Sequence, residues 1–124
     1  MNRVNQGKAH TALLRDILAT LGARPGVVMA LNPCGKAKYM TEGGETFVTP
    51  YGWPMPGGPD ILVAMAPHGR LVGLEGKTGG AVLSAEQRKV HAALKAVGVV
   101  VAVVHSVEEA ARALEEARQE ERTL

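Results

Sequence analysis

Three charged residues in the stretch GGPDILVAMAPHGRLVGLEGK, residues 57–77, carry the chemistry this chain has to offer. Asp60 opens one apolar run, and Glu75 and Lys77 close the next. The runs DILVAM and LVGLEGK flank APHGR, where His68 and Gly69 suit a tight turn, so the two segments are expected to pair antiparallel. With Pro67 opposite Arg70, Met65 meets Val72, Val63 meets Leu74 and Ile61 meets Gly76 in one apolar layer. The other face then carries Leu62 with Glu75 and Asp60 with Lys77, which sets Glu75 diagonal to Asp60 at roughly 7 Å. A turn of different parity would break this arrangement.

Two carboxylates so close repel each other unless positive charge lies between them. Oxygen ligation in a sheet cleft favours a hard, well-hydrated cation, Mg²⁺ with Mn²⁺ as a substitute. The backbone carbonyl of Gly76 is a further oxygen ligand on the same strand end. Lys77 would hold or help deprotonate an attacking water and balance charge on a phosphate. These parts suit metal-assisted phosphodiester hydrolysis. The bland alternative is a cross-strand ion pair between Asp60 and Lys77, worth about 0–1 kcal/mol, and the spacing alone leaves both open.

The elements that must position these residues are legible from periodicity. HTALLRDILATLG places Leu13, Leu14, Ile17, Leu18 and Leu21 on one helical stripe closed by Gly22. GVVMALN, after Pro25, reads as a first strand. Residues 32–59 read as a long Gly/Pro/aromatic loop, with a small hairpin from KYM to TFV, because seven of the ten residues 50–59 are Pro or Gly. SAEQRKVHAALKAVG is a helix with Ser84 as N-cap and Gln87 completing a capping box. VVVAVVHS is an uninterrupted apolar run of the kind found in buried inner strands. Residues 107–124 form an acidic C-terminal helix whose apolar stripe is Val107, Ala110, Ala111, Leu114 and Ala117. The expectation is one α/β domain over residues 1–124, ordered α-β-β-β-α-β-α, with a mixed central sheet flanked by helices and a flexible basic arm at residues 1–8.

Composition narrows the function classes. The net charge of +2 hides a C-terminal segment at −3 and a body at +5, which suits contact with a polyanion. The single cysteine, Cys34, excludes an internal disulfide and a cysteine-based zinc cage. No apolar run is long enough for a membrane span and the N-terminus lacks a signal-peptide core, so no membrane is expected and the cytoplasm is the expected compartment. Arg3, Lys8, Lys36 and Lys38 are candidate phosphate contacts, the last two in the irregular segment NPCGKAKY. All four aromatics, Tyr39, Phe47, Tyr51 and Trp53, fall within that same loop region, where they either pin the loop or an interface or stack on distorted nucleic acid.

The ordered set GGPDILVAM, GRLVGLEGKTGG, SAEQ and the final strand followed by SVEEA resembles the PD-(D/E)xK nuclease superfamily, more narrowly the virus-type replication-repair nuclease (VRR-NUC) domain and the archaeal-type Holliday junction resolvases. The likeness runs from Gly57 to about Ala110 and implies a restriction-endonuclease-like core. It assigns metal binding to Asp60 and Glu75, orientation of the attacking water to Lys77, and a supporting role to Gln87. It also implies a glutamate on the first helix aimed at the metal, where this chain has His10. Gly76, between the paired Glu and Lys, departs from the usual apolar residue and is expected to leave the opposite core face thin. The function implied is a Mg²⁺-dependent, structure-selective DNA endonuclease, foremost a Holliday junction resolvase working as a homodimer on branched DNA in recombination or replication. If the chain is phage-encoded, its compartment is the host cytoplasm. The alternatives are a nuclease acting on flaps, nicks or duplex, and a non-catalytic DNA-binding module with the same fold.

Overall fold

The computed structural model describes the backbone of residues 3–123 and the side chains of residues 7–119. Helix α1 spans Arg3–Leu21, followed by β1 (Val27–Leu31), β2 (Gly35–Met40), β3 (Thr46–Tyr51), β4 (Ile61–Met65) and β5 (Arg70–Gly76). Helix α2 (Ala85–Ala96), β6 (Val100–Val104) and α3 (Val107–Thr123) complete the chain. Four strands form a mixed sheet in the order β1-β4-β5-β6, with β5 and β6 parallel and the other pairs antiparallel. The parallel pair needs a crossover, and α2 supplies it.

Paired residues across β4 and β5 point to the same side, which sorts the sheet into two faces. On one face Ile61, Val63, Met65, Val72 and Leu74 are buried, packed with Ile17 and Leu21 of α1 and Ala110, Leu114 and Ala117 of α3. Both helical stripes read from the sequence are therefore the ones that make the core. Helix α2 lies against β6 on the other face. It is held at its start by a reciprocal capping box: Gln87 N–H donates to Ser84 Oγ at 3.1 Å and Ser84 N–H donates to Gln87 Oε1 at 2.9 Å. The SVEE segment is also a cap, with Glu109 N–H on Ser106 Oγ at 3.1 Å and the Glu109 carboxylate on His105 N–H.

Four expectations need correction. The hairpin register is Met65 opposite Arg70, Val63 opposite Val72 and Ile61 opposite Leu74, two residues from the expected pairing. The turn takes four residues, Ala66 to Gly69, closed by Gly69 N–H on Met65 O at 2.8 Å. Because the slip is even, every side chain keeps its face. The strand VVVAVV is an edge strand rather than an inner one: among the described residues β6 pairs with β5 alone, and Val103 remains 38% exposed. The expected flexible arm is helical from Arg3, since once a turn has nucleated, each added residue gains a hydrogen bond. The 32–59 loop contains a full hairpin, β2 with β3, in which Pro50 is tolerated because the ribbon has only two strands and Pro50 needs no second partner.

Candidate functional site

The approach of the chain to Asp60 is fixed by the segment before it. Trp53 Nε1 donates to the Pro59 carbonyl at 2.9 Å, and its indole covers Gly58 so closely that a Cβ there would lie 2.2 Å from the ring. Pro59 is fully buried against Gly73, where a Cβ would meet Pro59 Cγ at 2.7 Å. One of the clustered aromatics therefore pins the loop that delivers Asp60 to the start of β4. Continuing the strand register by one residue sets Asp60 directly opposite Glu75 rather than diagonal to it.

Asp60 Oδ2 accepts the Gly76 N–H at 2.9 Å and lies 3.2 Å from His10 Nε2. His10 reaches it because α1 presses onto the end of β5. A Cβ on Gly76 would meet Leu14 Cδ2 at 2.9 Å and Leu13 Cδ2 at 3.4 Å. The core face at Gly76 is thus filled by Leu13 and Leu14, not thin as the sequence suggested. The missing side chain is what lets the helix come close.

Glu75 is 1% exposed, and its Oε1 lies 3.2 Å from Nε2 of His91, which is also buried. Burial, then a hydrogen bond to Asp60 and repulsion by it, push the Glu75 carboxyl up to about 9, with Lys77 pulling the other way. Without a cation, the Glu75 carboxyl is therefore held in its protonated form well above the usual carboxylate range. Burial first, then the charges of Lys95 and Lys77, hold His91 below its ordinary range, so the ring is neutral at physiological pH. With its proton on Nε2 it donates to Glu75 and fixes one oxygen of that carboxyl.

Lys77 extends past β5 with its N–H on the Val104 carbonyl at 3.0 Å. Its Nζ donates to Gln87 Oε1 at 2.9 Å, the same oxygen that caps α2. Gln87 therefore caps the helix and, through the same oxygen, contacts Lys77. His10, Asp60, Glu75, Gly76, Lys77, Thr78, Ala81 and Gln87 line one cavity of about 240 Å³.

His10, Asp60 and Glu75 each offer a donor atom within 4.8 Å of the others, and among the described residues no other group of three does so. Donors sharing one ion at about 2.0–2.2 Å lie no more than about 4.4 Å apart, a closure that small side-chain rotations supply. Two facing carboxyls, one of them raised by burial and by its neighbour Asp60, are the chemistry a divalent cation fits. Gly76 contributes its N–H to Asp60 and its backbone to the cavity wall.

The basic candidates are elsewhere. Lys36 and Lys38 are exposed on one face of the β2-β3 ribbon, whose opposite face carries Tyr39, Phe47 and Tyr51, each more than half exposed. Lys8 lies on the solvent side of α1, about 200° around the helix from His10, where with Thr11, Ala12 and Arg15 it borders a shallow groove. The Arg3 side chain lies outside the described residues. His91 was missed by sequence reasoning, although a signal existed: it stands four residues after Gln87, on the same helix face. No family model, curated protein or solved structure matches the chain. No helix among the described residues is long and apolar enough to cross a membrane.

Proposed function

We propose that this chain is a Mg²⁺-dependent, structure-selective DNA endonuclease of the PD-(D/E)xK type with a restriction-endonuclease-like core, and that it resolves four-way junctions in the cytoplasm. The observation that carries the reading is the convergence of Asp60, Glu75 and His10 within 4.8 Å, beside a lysine fixed by Gln87. A divalent ion bound there would supply Lewis-acid stabilisation of the phosphate and a more acidic water. The chain's own residues do the rest. Gly76 N–H and His91 each hold one oxygen of a carboxylate, Oδ2 of Asp60 and Oε1 of Glu75, which fixes both groups at the cavity wall. Lys77, held by its Gln87 contact at 2.9 Å, can orient the attacking water and accompany the developing negative charge.

In this reading Lys8 on α1 and Lys36 and Lys38 on the ribbon contact the substrate backbone, and Arg3 is a further candidate contact. A two-fold dimer would set two such sites against opposing strands. The outer edge of β6 and the aromatic face of the ribbon offer apolar surface for it. Purified protein with Mg²⁺ is expected to cut a labelled four-way junction much faster than linear duplex made of the same arms. Equal rates on both would reduce the reading to a general, flap or nick nuclease. Salt-sensitive DNA binding with no cleavage in any divalent ion would leave only a binding module.

A further inference from the structure

We propose that His10 turns this centre into a mixed nitrogen–oxygen site that takes Mn²⁺ in preference to Mg²⁺. This rests on the metal-dependent reading above and refines which ion that site holds.

The imidazole is placed to ligate. His10 continues the stripe of α1, three and four residues before Leu13 and Leu14 and seven before Ile17, so its ring lies on the sheet side of the helix while its side chain stays 37% exposed. Ile17 and Leu21 are fully buried, and the leucines bear on Gly76, which leaves the helix little freedom to withdraw. His10 Nε2 lies 3.2 Å from Asp60 Oδ2, and a ring nitrogen of His10 lies within 4.8 Å of a Glu75 carboxylate oxygen.

Donor chemistry then separates the two ions. Mg²⁺ is hard, binds oxygen almost exclusively and gives up its water reluctantly, so it depends on negative charge in the site. His10 supplies none, and the nearby Lys77 ammonium subtracts from what Asp60 and Glu75 provide. Mn²⁺ accepts imidazole as well as carboxylate, and it still takes an octahedral shell with room for water and a phosphate oxygen. A neutral nitrogen donor therefore costs Mg²⁺ affinity while adding a bond for Mn²⁺.

The test is calorimetric titration of the full chain with MnCl₂ and with MgCl₂ after metal stripping, for wild type, His10→Glu, His10→Gln and Glu75→Gln. Pulsed electron paramagnetic resonance of the Mn²⁺-loaded wild type provides a readout that needs no variant. Wild type is expected to bind Mn²⁺ at least about tenfold more tightly than Mg²⁺. His10→Glu should cut that ratio about tenfold by strengthening Mg²⁺, and His10→Gln should weaken Mn²⁺. Nitrogen modulation should appear in the wild-type spectrum and vanish in His10→Glu. An unchanged Mn²⁺/Mg²⁺ ratio, or a spectrum without directly bound nitrogen, would overturn the role of His10 while leaving the carboxylate site standing. Failure of wild type to bind either ion, or binding undiminished in Glu75→Gln, would overturn the metal reading itself.

Discussion

Glu75→Gln should stabilise the metal-free protein, and by more as pH rises. Glu75 is 1% exposed and its carboxyl is raised from 4.5 to about 9, chiefly by burial. Between those two values the folded chain holds a proton that the unfolded chain has released. Stability from this group is therefore complete below about pH 4.5 and is lost progressively as pH climbs towards 9. Each pH unit climbed within that window removes about 1.4 kcal/mol, so at about pH 7.5 the ceiling on the loss is about 4 kcal/mol. The carboxyl borders a water-accessible cavity, which screens it and brings the expected loss to about 2 kcal/mol. Glutamine keeps the shape and the hydrogen bond to Asp60 but cannot ionise. Urea denaturation in EDTA at about pH 5.5, 7 and 8.5 measures the effect directly. The wild-type-minus-variant difference should widen steadily with pH, and adding Mn²⁺ should stabilise wild type only. A difference that stays flat across that pH range would refute the idea that Glu75 folds with its proton on.

Other substitutions probe the supports of the site. Gly76→Ala puts a methyl 2.9 Å from Leu14 Cδ2, and should cost about 1–2 kcal/mol in urea titration while weakening Mn²⁺ binding by moving α1 and His10 outward. His91→Phe fills the same space but releases Glu75. It should lower metal affinity about 10-fold or more in calorimetry, with partial recovery in His91→Gln. Gln87→Ala removes half of the α2 capping box and the Lys77 contact together. It should cost about 0.5–1 kcal/mol in thermal denaturation and slow junction cleavage beyond what that loss of stability explains.

What the sequence disclosed and what it hid divide along the range of the interactions. The stripes of α1 and α3 and the Ser84–Gln87 cap depend on residues three and four apart, and each is present as read. Strand parity was also legible, so Asp60 and Glu75 share a face even though the pairing slipped by two. The slip itself depends on how many residues the turn consumes, which His68-Gly69 alone does not specify. The edge position of β6 follows from the order of strands in the sheet, and an apolar run does not encode that order. Gly76 looked like a gap because its filling comes from Leu13 and Leu14, more than sixty residues earlier in the chain. His91 was hidden for the same reason. Its helical face was readable, but that Glu75 lies beneath that face is a fact of tertiary packing.

The central claim is that one acid from each of two neighbouring strands closes on a single divalent ion. Anomalous diffraction at the manganese edge from crystals soaked in MnCl₂ tests it most directly. One strong peak is expected about 2.0–2.3 Å from carboxylate oxygens of both Asp60 and Glu75, with His10 Nε2 in the same shell. Carboxylates turned away from each other, with no manganese between them at saturating concentration, would contradict it.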